Sequence, residues 1–115
     1  MAINSLEKGS VRKVFSHNMM MLLSINEMTV ADLARRLDMR DTTVRDWSIA
    51  RSFPGAENME RLAQVLGVKP SVLLEDGANG EGLSRSQMEL IKKASDFTEA
   101  EAEVALRVLS AIRNE

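Results

Sequence analysis

The sequence contains no cysteine and only one histidine, His17. Without thiol groups the chain has no disulfide, no thiolate nucleophile and no thiolate metal ligand. A single imidazole supplies little material for a zinc site or for general acid–base catalysis. We therefore expect a protein that is not an enzyme and that uses no metal and no cofactor.

Long apolar runs are also absent. No stretch approaches the roughly 18 apolar residues that a membrane-spanning helix needs. The first residues lack a basic flank followed by an apolar segment and a small-residue cleavage site, so a cytoplasmic protein is expected. With 115 residues, 44% of them apolar and 28% charged, the chain can bury the core of one domain and carry a modest appendage.

Charge is divided unequally along the chain, although the formal net charge is only −2. Residues 1–74 carry ten Lys and Arg against eight Asp and Glu, which gives +2. Residues 75–115 carry five against nine, which gives −4. The acidic second part should repel phosphate groups, so any contact with nucleic acid is expected in the first part.

A linker separates the two parts. Residues 76–82 contain three of the six glycines and only one apolar side chain, a composition that favours a loop. We therefore predict a domain at residues 10–75, a linker at 76–83 and a helical segment at 84–114.

The first part has the apolar spacing of short amphipathic helices. The first helix is predicted from Ser10 to Ser24, with Asn26 as the left-handed residue that ends it. Thr29 offers an N-cap hydroxyl to the second helix, and Asp41 begins the third. The residues expected to face the core in these three helices are Val11, Val14, Phe15, Met19, Leu22, Leu23, Val30, Leu33, Ala34, Leu37, Val44 and Trp47.

Two more helices complete this part. The fourth is predicted from about Ala56 to Leu66, with Gly67 as its C-terminal residue. Pro70 suits the first turn of a fifth. The core residues expected from this pair are Met59, Leu62, Ala63, Leu66, Leu73 and Leu74.

Two short helices joined by a tight turn, the second polar except for one apolar pair, are typical of a helix-turn-helix. Residues 29–47 read TVADLARRLDMRDTTVRDW, followed by Phe53 and Pro54. Residues 59–68 read MERLAQVLGV, with Leu73 and Leu74 after them. This ordered series resembles the lambda-repressor-like, Cro-type helix-turn-helix family of phage repressors and related bacterial regulators. The resemblance covers roughly residues 11–75.

The resemblance implies an all-α, five-helix domain that inserts the N-terminal half of its third helix into the major groove of DNA. Its groove-facing positions correspond to Arg40, Asp41, Thr42, Arg45 and Asp46. Arg binds guanine O6 and N7, Asp accepts from cytosine N4, and Thr contacts a base edge or a thymine methyl. At the start of the second helix, Thr29 and Val30 are expected to direct backbone N–H groups at a phosphate.

Three positions differ from the family pattern. Val30 stands where Gln is common, and Asp38 stands where the turn often has Gly; Asp adopts the left-handed conformation more readily than most residues. The third helix often begins with a Ser cap, which Arg40 cannot supply, so Asp41 or Thr42 is the alternative cap. Asp41 therefore either caps the helix or reads a base.

The acidic C-terminal part predicts a two-helix hairpin. Capping boxes are formed by Ser84 with Gln87 and by Thr98 with Glu101. A hairpin this small rarely buries enough surface to be stable alone. A second copy is the favoured partner, and folding back on the first domain as a lid is the alternative. The residues predicted to mediate oligomerisation are Met88, Ile91, Val104, Val108, Leu109 and Ile112.

These features together predict a sequence-specific transcriptional repressor of phage or prophage type that acts by occupying its operator. Its expected partners are double-stranded operator DNA and a second copy of the chain, in a homodimer or a higher oligomer. Two alternatives remain open. One is the antitoxin of a toxin–antitoxin pair, which represses its own genes. The other is a protein–protein adaptor that has lost DNA binding, which Val30 and the acidic residues Asp38, Asp41 and Asp46 favour.

Overall fold

The computed structural model describes residues 3–77, 80–95 and 107–108, and the side chains of residues 11–77, 80–94 and 107–108. All regular secondary structure in these residues is helical, and they contain no strand, which confirms the all-α class. No helix in the described ranges is both long and apolar enough to cross a membrane. The elements are α1 (Ile3–Ile25), α2 (Val30–Leu37), α3 (Asp41–Ser48), α4 (Ala56–Leu66), a 3-10 helix (Pro70–Leu74) and α5 (Arg85–Ser95).

One hydrophobic core is shared by all of these elements. It holds nearly all of the predicted core residues, and Phe15 meets Phe53 edge-on with 5.2 Å between ring centroids. Val11 is the exception on α1, at 43% exposure. The fully buried members of this core include Phe15, Met19, Leu22, Leu33, Val44, Leu62, Leu66, Leu73 and Met88.

Three further predictions were wrong. α1 begins at Ile3 rather than near Ser10. Asn26 does not adopt the left-handed conformation; Glu27 does, with φ 55°, while the Asn26 side-chain amide donates to the Leu22 carbonyl. In the 3-10 helix, Leu74 is 44% exposed and Val72 is buried in its place, because three residues per turn direct Leu74 outward.

α5 packs on α1 of its own chain. Ser84 and Gln87 form the predicted capping box, with the Gln87 side chain accepting the Ser84 N–H at 2.8 Å and the Ser84 hydroxyl accepting the Gln87 N–H at 3.1 Å. Leu83 and Met88 enter the common core beside this cap. Lys92 Nζ donates to the Leu66 carbonyl at the end of α4, at 3.0 Å. Residues 85–95 therefore fold back on the first domain, as in the lid alternative.

The predicted oligomerisation residues divide accordingly. Met88 is fully buried within its own chain, where it offers no exposed surface to a second copy. Ile91 is half-buried against the same core. Val108 is 53% exposed. The second capping box and three further oligomerisation residues, Val104, Leu109 and Ile112, lie outside the described residues.

A buried amide anchors the segment between the 3-10 helix and α5. Asn18 on α1 is fully buried, and its Nδ2 lies 3.2, 3.1 and 2.8 Å from the carbonyl oxygens of Val72, Leu73 and Glu75. Its Oδ1 accepts the N–H of Leu83 at 2.9 Å. One residue earlier on α1, His17 Nε2 bonds to the Leu83 carbonyl at 2.7 Å.

Candidate nucleic-acid interface

The turn between α2 and α3 is short because Asp38 reverses the chain. Asp38 adopts the left-handed conformation with φ 56°, as its position in the helix-turn-helix pattern predicts. The N–H of the following Met39 donates to the Ala34 carbonyl at 2.9 Å, which closes the end of α2. Arg61 of α4 donates from Nη2 to the Leu37 carbonyl, so the same helix end is also held from outside. These bonds hold the C-terminal end of α2, and α3 packs directly against α2.

The packing of α3 determines which side chains face outward. Val44 and Trp47 are buried in the common core. Residues one helical turn apart lie on the same side of a helix, so Thr42, Arg45 and Asp46 point away from this pair. Four of the five predicted base-facing residues, Arg40, Asp41, Thr42 and Arg45, are exposed, and the fifth, Asp46, is partly exposed.

The start of α3 has no side-chain cap. Arg40 occupies the N-cap position, with φ −72° and ψ 140°, and makes no capping hydrogen bond with its side chain. Asp41 is the first residue inside the helix, so the alternative in which Asp41 or Thr42 serves as the N-cap was wrong. A carboxylate in the first turn still interacts favourably with the helix dipole. The exposed Asp41 carboxylate is thus not occupied by capping.

The start of α2 differs from the predicted phosphate site. Thr29 is the N-cap, as predicted, and its hydroxyl accepts the Asp32 N–H at 3.0 Å. The Thr29 N–H, however, donates to the Asp32 carboxylate at 2.9 Å and is not available to a phosphate. Val30 is half-buried, with its side chain packed against the core. The first helical N–H groups have no acceptor within an α-helix, so Val30 and Ala31 keep the donors that this end can offer.

Asp32 also places a negative charge at this helix end. Hydrogen bonding to Thr29, chiefly through its backbone N–H, holds the pKa of Asp32 below its ordinary value, and Arg35 acts in the same direction. Arg35 Nη1 lies 3.3 Å from Asp32 Oδ1. The carboxylate is therefore ionised at neutral pH and opposes an incoming phosphate.

Arg51 joins this surface, although the sequence pattern did not single it out. Its Nη1 lies 3.6 Å from Asp46 Oδ1. The N–H groups of Arg51 and Ser52 both donate to the Asp46 carbonyl, at 2.9 and 3.3 Å. Ala50 permits this return by adopting the left-handed conformation, φ 60°. The pairing crosses a turn, and helical periodicity carries no signal for it.

The charges on this side of the molecule are mixed. Five arginines, at positions 35, 36, 40, 45 and 51, are exposed on α2, α3 and the turn that follows α3. Four aspartates, at positions 32, 38, 41 and 46, stand among them. Side chains of this kind can bond to base edges and to phosphates, with only a small excess of positive charge. No cluster of three or more metal-ligating side chains occurs in the described part of the chain.

Comparison with known proteins adds no relative. No protein-family model, no curated protein and no solved structure matches this chain.

Proposed function

We propose that this protein is a sequence-specific DNA-binding repressor of the lambda-repressor-like type, with α3 as its recognition helix. The observation that carries the proposal is the division of α3 into two faces. Val44 and Trp47 are buried, whereas Thr42 and Arg45 are exposed on the other side and Arg40 is exposed at the N-cap. A helix held by one apolar pair, with a polar outer face behind a tight turn, is suited to entering the major groove.

Recognition would rest on the exposed arginines first. Arg40 is the N-cap of α3 and Arg45 lies in its second turn, and neither has an ion-pair partner among the described residues. A guanidinium free of such a partner can make the bidentate contact to guanine O6 and N7. Thr42 lies on the same face and can contact a base edge or a thymine methyl. Asp41 would accept from cytosine N4.

Repression would follow from occupying an operator, and it requires no catalysis and no cofactor. A two-fold operator would be matched by two copies whose recognition helices lie about 34 Å apart. Because Met88 is used within its own chain, the contact between copies would involve surfaces that α5 leaves exposed and the stripe with Val104, Val108, Leu109 and Ile112. Leu90 on the outer face of α5 is 49% exposed and fits this role.

Selection of bound duplexes from a random DNA pool tests the proposal. Enrichment of a defined motif, with two-fold symmetry if the dimer forms, is the expected result. Binding of the selected duplex should weaken in Arg45→Ala and should persist in Lys69→Ala, which removes an equal charge from an exposed position before the 3-10 helix. A pool that shows no enrichment at low salt would contradict the proposal.

An adaptor that binds protein rather than DNA is the second candidate. It is favoured by the start of α2, where the Thr29 N–H is occupied and the Asp32 carboxylate is ionised. An adaptor of this kind would bind neither the selected pool nor fragmented genomic DNA at low salt. The same selection therefore distinguishes the two candidates.

A further inference from the structure

Asp46 and Arg51 form a small unit at the C-terminal end of α3. Their side chains approach to 3.6 Å, and the backbone of Arg51 is held on the Asp46 carbonyl by an N–H bond of 2.9 Å. The second carboxylate oxygen of Asp46 has no partner in the described part of the chain. Asp46 is partly exposed next to Arg45 on α3, and the bonded turn keeps Arg51 beside it.

The ion pair is easily exchanged. The Arg51 side chain is 71% exposed and that of Asp46 is 38% exposed. Exposed pairs of this kind contribute little net stability because water and salt screen them. Arg51 can therefore move to a stronger anion, such as a DNA phosphate, with little loss of stability from the broken ion pair. The main cost of the move is the Asp46 carboxylate that remains unpaired.

The carboxylate makes that transfer depend on sequence. If Arg51 moves to a phosphate, Asp46 is left as an unpaired negative charge close to DNA, which is repelled. A cytosine N4 amine in reach of Asp46 supplies a replacement donor. Guanine and thymine present only acceptors there, and adenine sets its amine beside the N7 acceptor, which repels a carboxylate, so at these bases Arg51 stays on Asp46.

We propose that Asp46 is a specificity-determining residue. It releases Arg51 to a phosphate only where the N4 amine of a cytosine replaces Arg51 as the partner of Asp46. This inference rests on the proposed DNA-binding function and extends it to Arg51, which lies outside the recognition helix. Asp46 acts partly through Arg51, so it is a positioning residue as well as a base contact. Its effect is to lower affinity for non-cognate DNA rather than to raise affinity for the operator.

A double-mutant cycle on non-cognate duplex tests the coupling. In wild-type protein Arg51→Ala should leave the salt slope for non-cognate duplex unchanged, because Arg51 stays on Asp46 and makes no phosphate contact. In an Asp46→Ala background the same change should lower non-cognate affinity about tenfold and reduce the salt slope by about one unit. Asp41→Ala is the matched control, since it removes a carboxylate from the same face without touching Arg51.

On the selected operator the pattern reverses. Arg51→Ala should lower affinity in the wild-type background, and Asp46→Ala should abolish the preference for cytosine at one base pair. The inference is overturned if Arg51→Ala has the same effect on non-cognate DNA in the wild-type, Asp41→Ala and Asp46→Ala backgrounds. If the pool yields no motif and no variant binds duplex DNA, the proposed function itself fails and this inference falls with it.

Discussion

The side-chain oxygen of Asn18 accepts the backbone N–H of Leu83 at 2.9 Å, across 65 positions of sequence. The same side chain donates from Nδ2 to three carbonyl groups at the end of the 3-10 helix. An amide nitrogen has two hydrogens, so at least one of them is shared between acceptors. One buried amide thus connects α1, the 3-10 helix and the segment that leads into α5.

Asn18→Leu should therefore be strongly destabilising. The apolar side chain has a similar size, but it leaves the Leu83 N–H and the carbonyls that Asn18 serves without a partner in a buried site. We expect the free energy of unfolding to fall by about 2–4 kcal/mol, measured by urea denaturation. Asn58→Ala removes a partly exposed amide and should change stability by less than about 0.5 kcal/mol. Equal effects of the two substitutions would contradict the role assigned to Asn18.

Met88→Ala tests whether α5 belongs to the core. Met88 is fully buried, so truncation removes buried methylene groups and the thioether and leaves a cavity. The expected loss is about 2–5 kcal/mol in the free energy of unfolding. Leu90→Ala is the control on the same helix, because Leu90 is 49% exposed and should lose little. Thermal melts that shift equally for both variants would show that α5 does not pack as described.

Much of the fold could be predicted from the sequence. α4 has the predicted bounds because Gly67 ends it in the left-handed conformation, with φ 76°. α3 has the predicted faces because Val44 and Trp47 are one turn apart and leave no other apolar face to bury. Local signals of this kind act within a few residues, and they determine the start, the end and the buried side of a helix.

The remaining features depend on contacts between distant segments. The capping box of Ser84 marks the start of α5, but it carries no information on whether α5 packs on its own chain or on a second copy. Asn18 lies four residues after Val14 and four before Leu22, on the apolar face of α1, and this position was the available signal for a buried amide. The pairing of Asp46 with Arg51 had no comparable signal, because it depends on the left-handed Ala50.

The pH dependence of stability should include a contribution from Asp32. Its pKa is lowered in the folded protein, chiefly by hydrogen bonding to Thr29, so folding favours the ionised carboxylate. This contribution is complete above the ordinary pKa of 3.8 and is lost as the pH falls through the lower pKa of the folded state. Asp32→Asn should thus be less stable than wild-type protein at neutral pH, and the difference should shrink in acid. Urea denaturation from pH 7 down to pH 2 measures it, and a constant difference would contradict the assignment.

The proposed dimer contact can be tested at Val108. This side chain is 53% exposed, and Val108→Glu would place a charge in the apolar stripe. We expect the variant to sediment as a monomer and to lose about 10²–10⁴ in affinity for a two-fold operator, since the two heads are no longer linked. Arg107→Gln changes the neighbouring exposed residue and should remain a dimer. A dimeric Val108→Glu variant would place the contact elsewhere.

The central proposal is that the outer face of α3 reads the bases of DNA. The affinity of Arg45→Ala for a selected duplex tests this proposal most directly. Fluorescence anisotropy at fixed salt, with circular dichroism to confirm the fold, compares this variant with wild-type protein and with Lys69→Ala. Loss of a bidentate guanine contact should weaken Arg45→Ala by about 1–3 kcal/mol and relax the preference at one base pair, while Lys69→Ala retains both. Unchanged affinity and unchanged base preference in Arg45→Ala would contradict the assignment of α3 as the recognition helix.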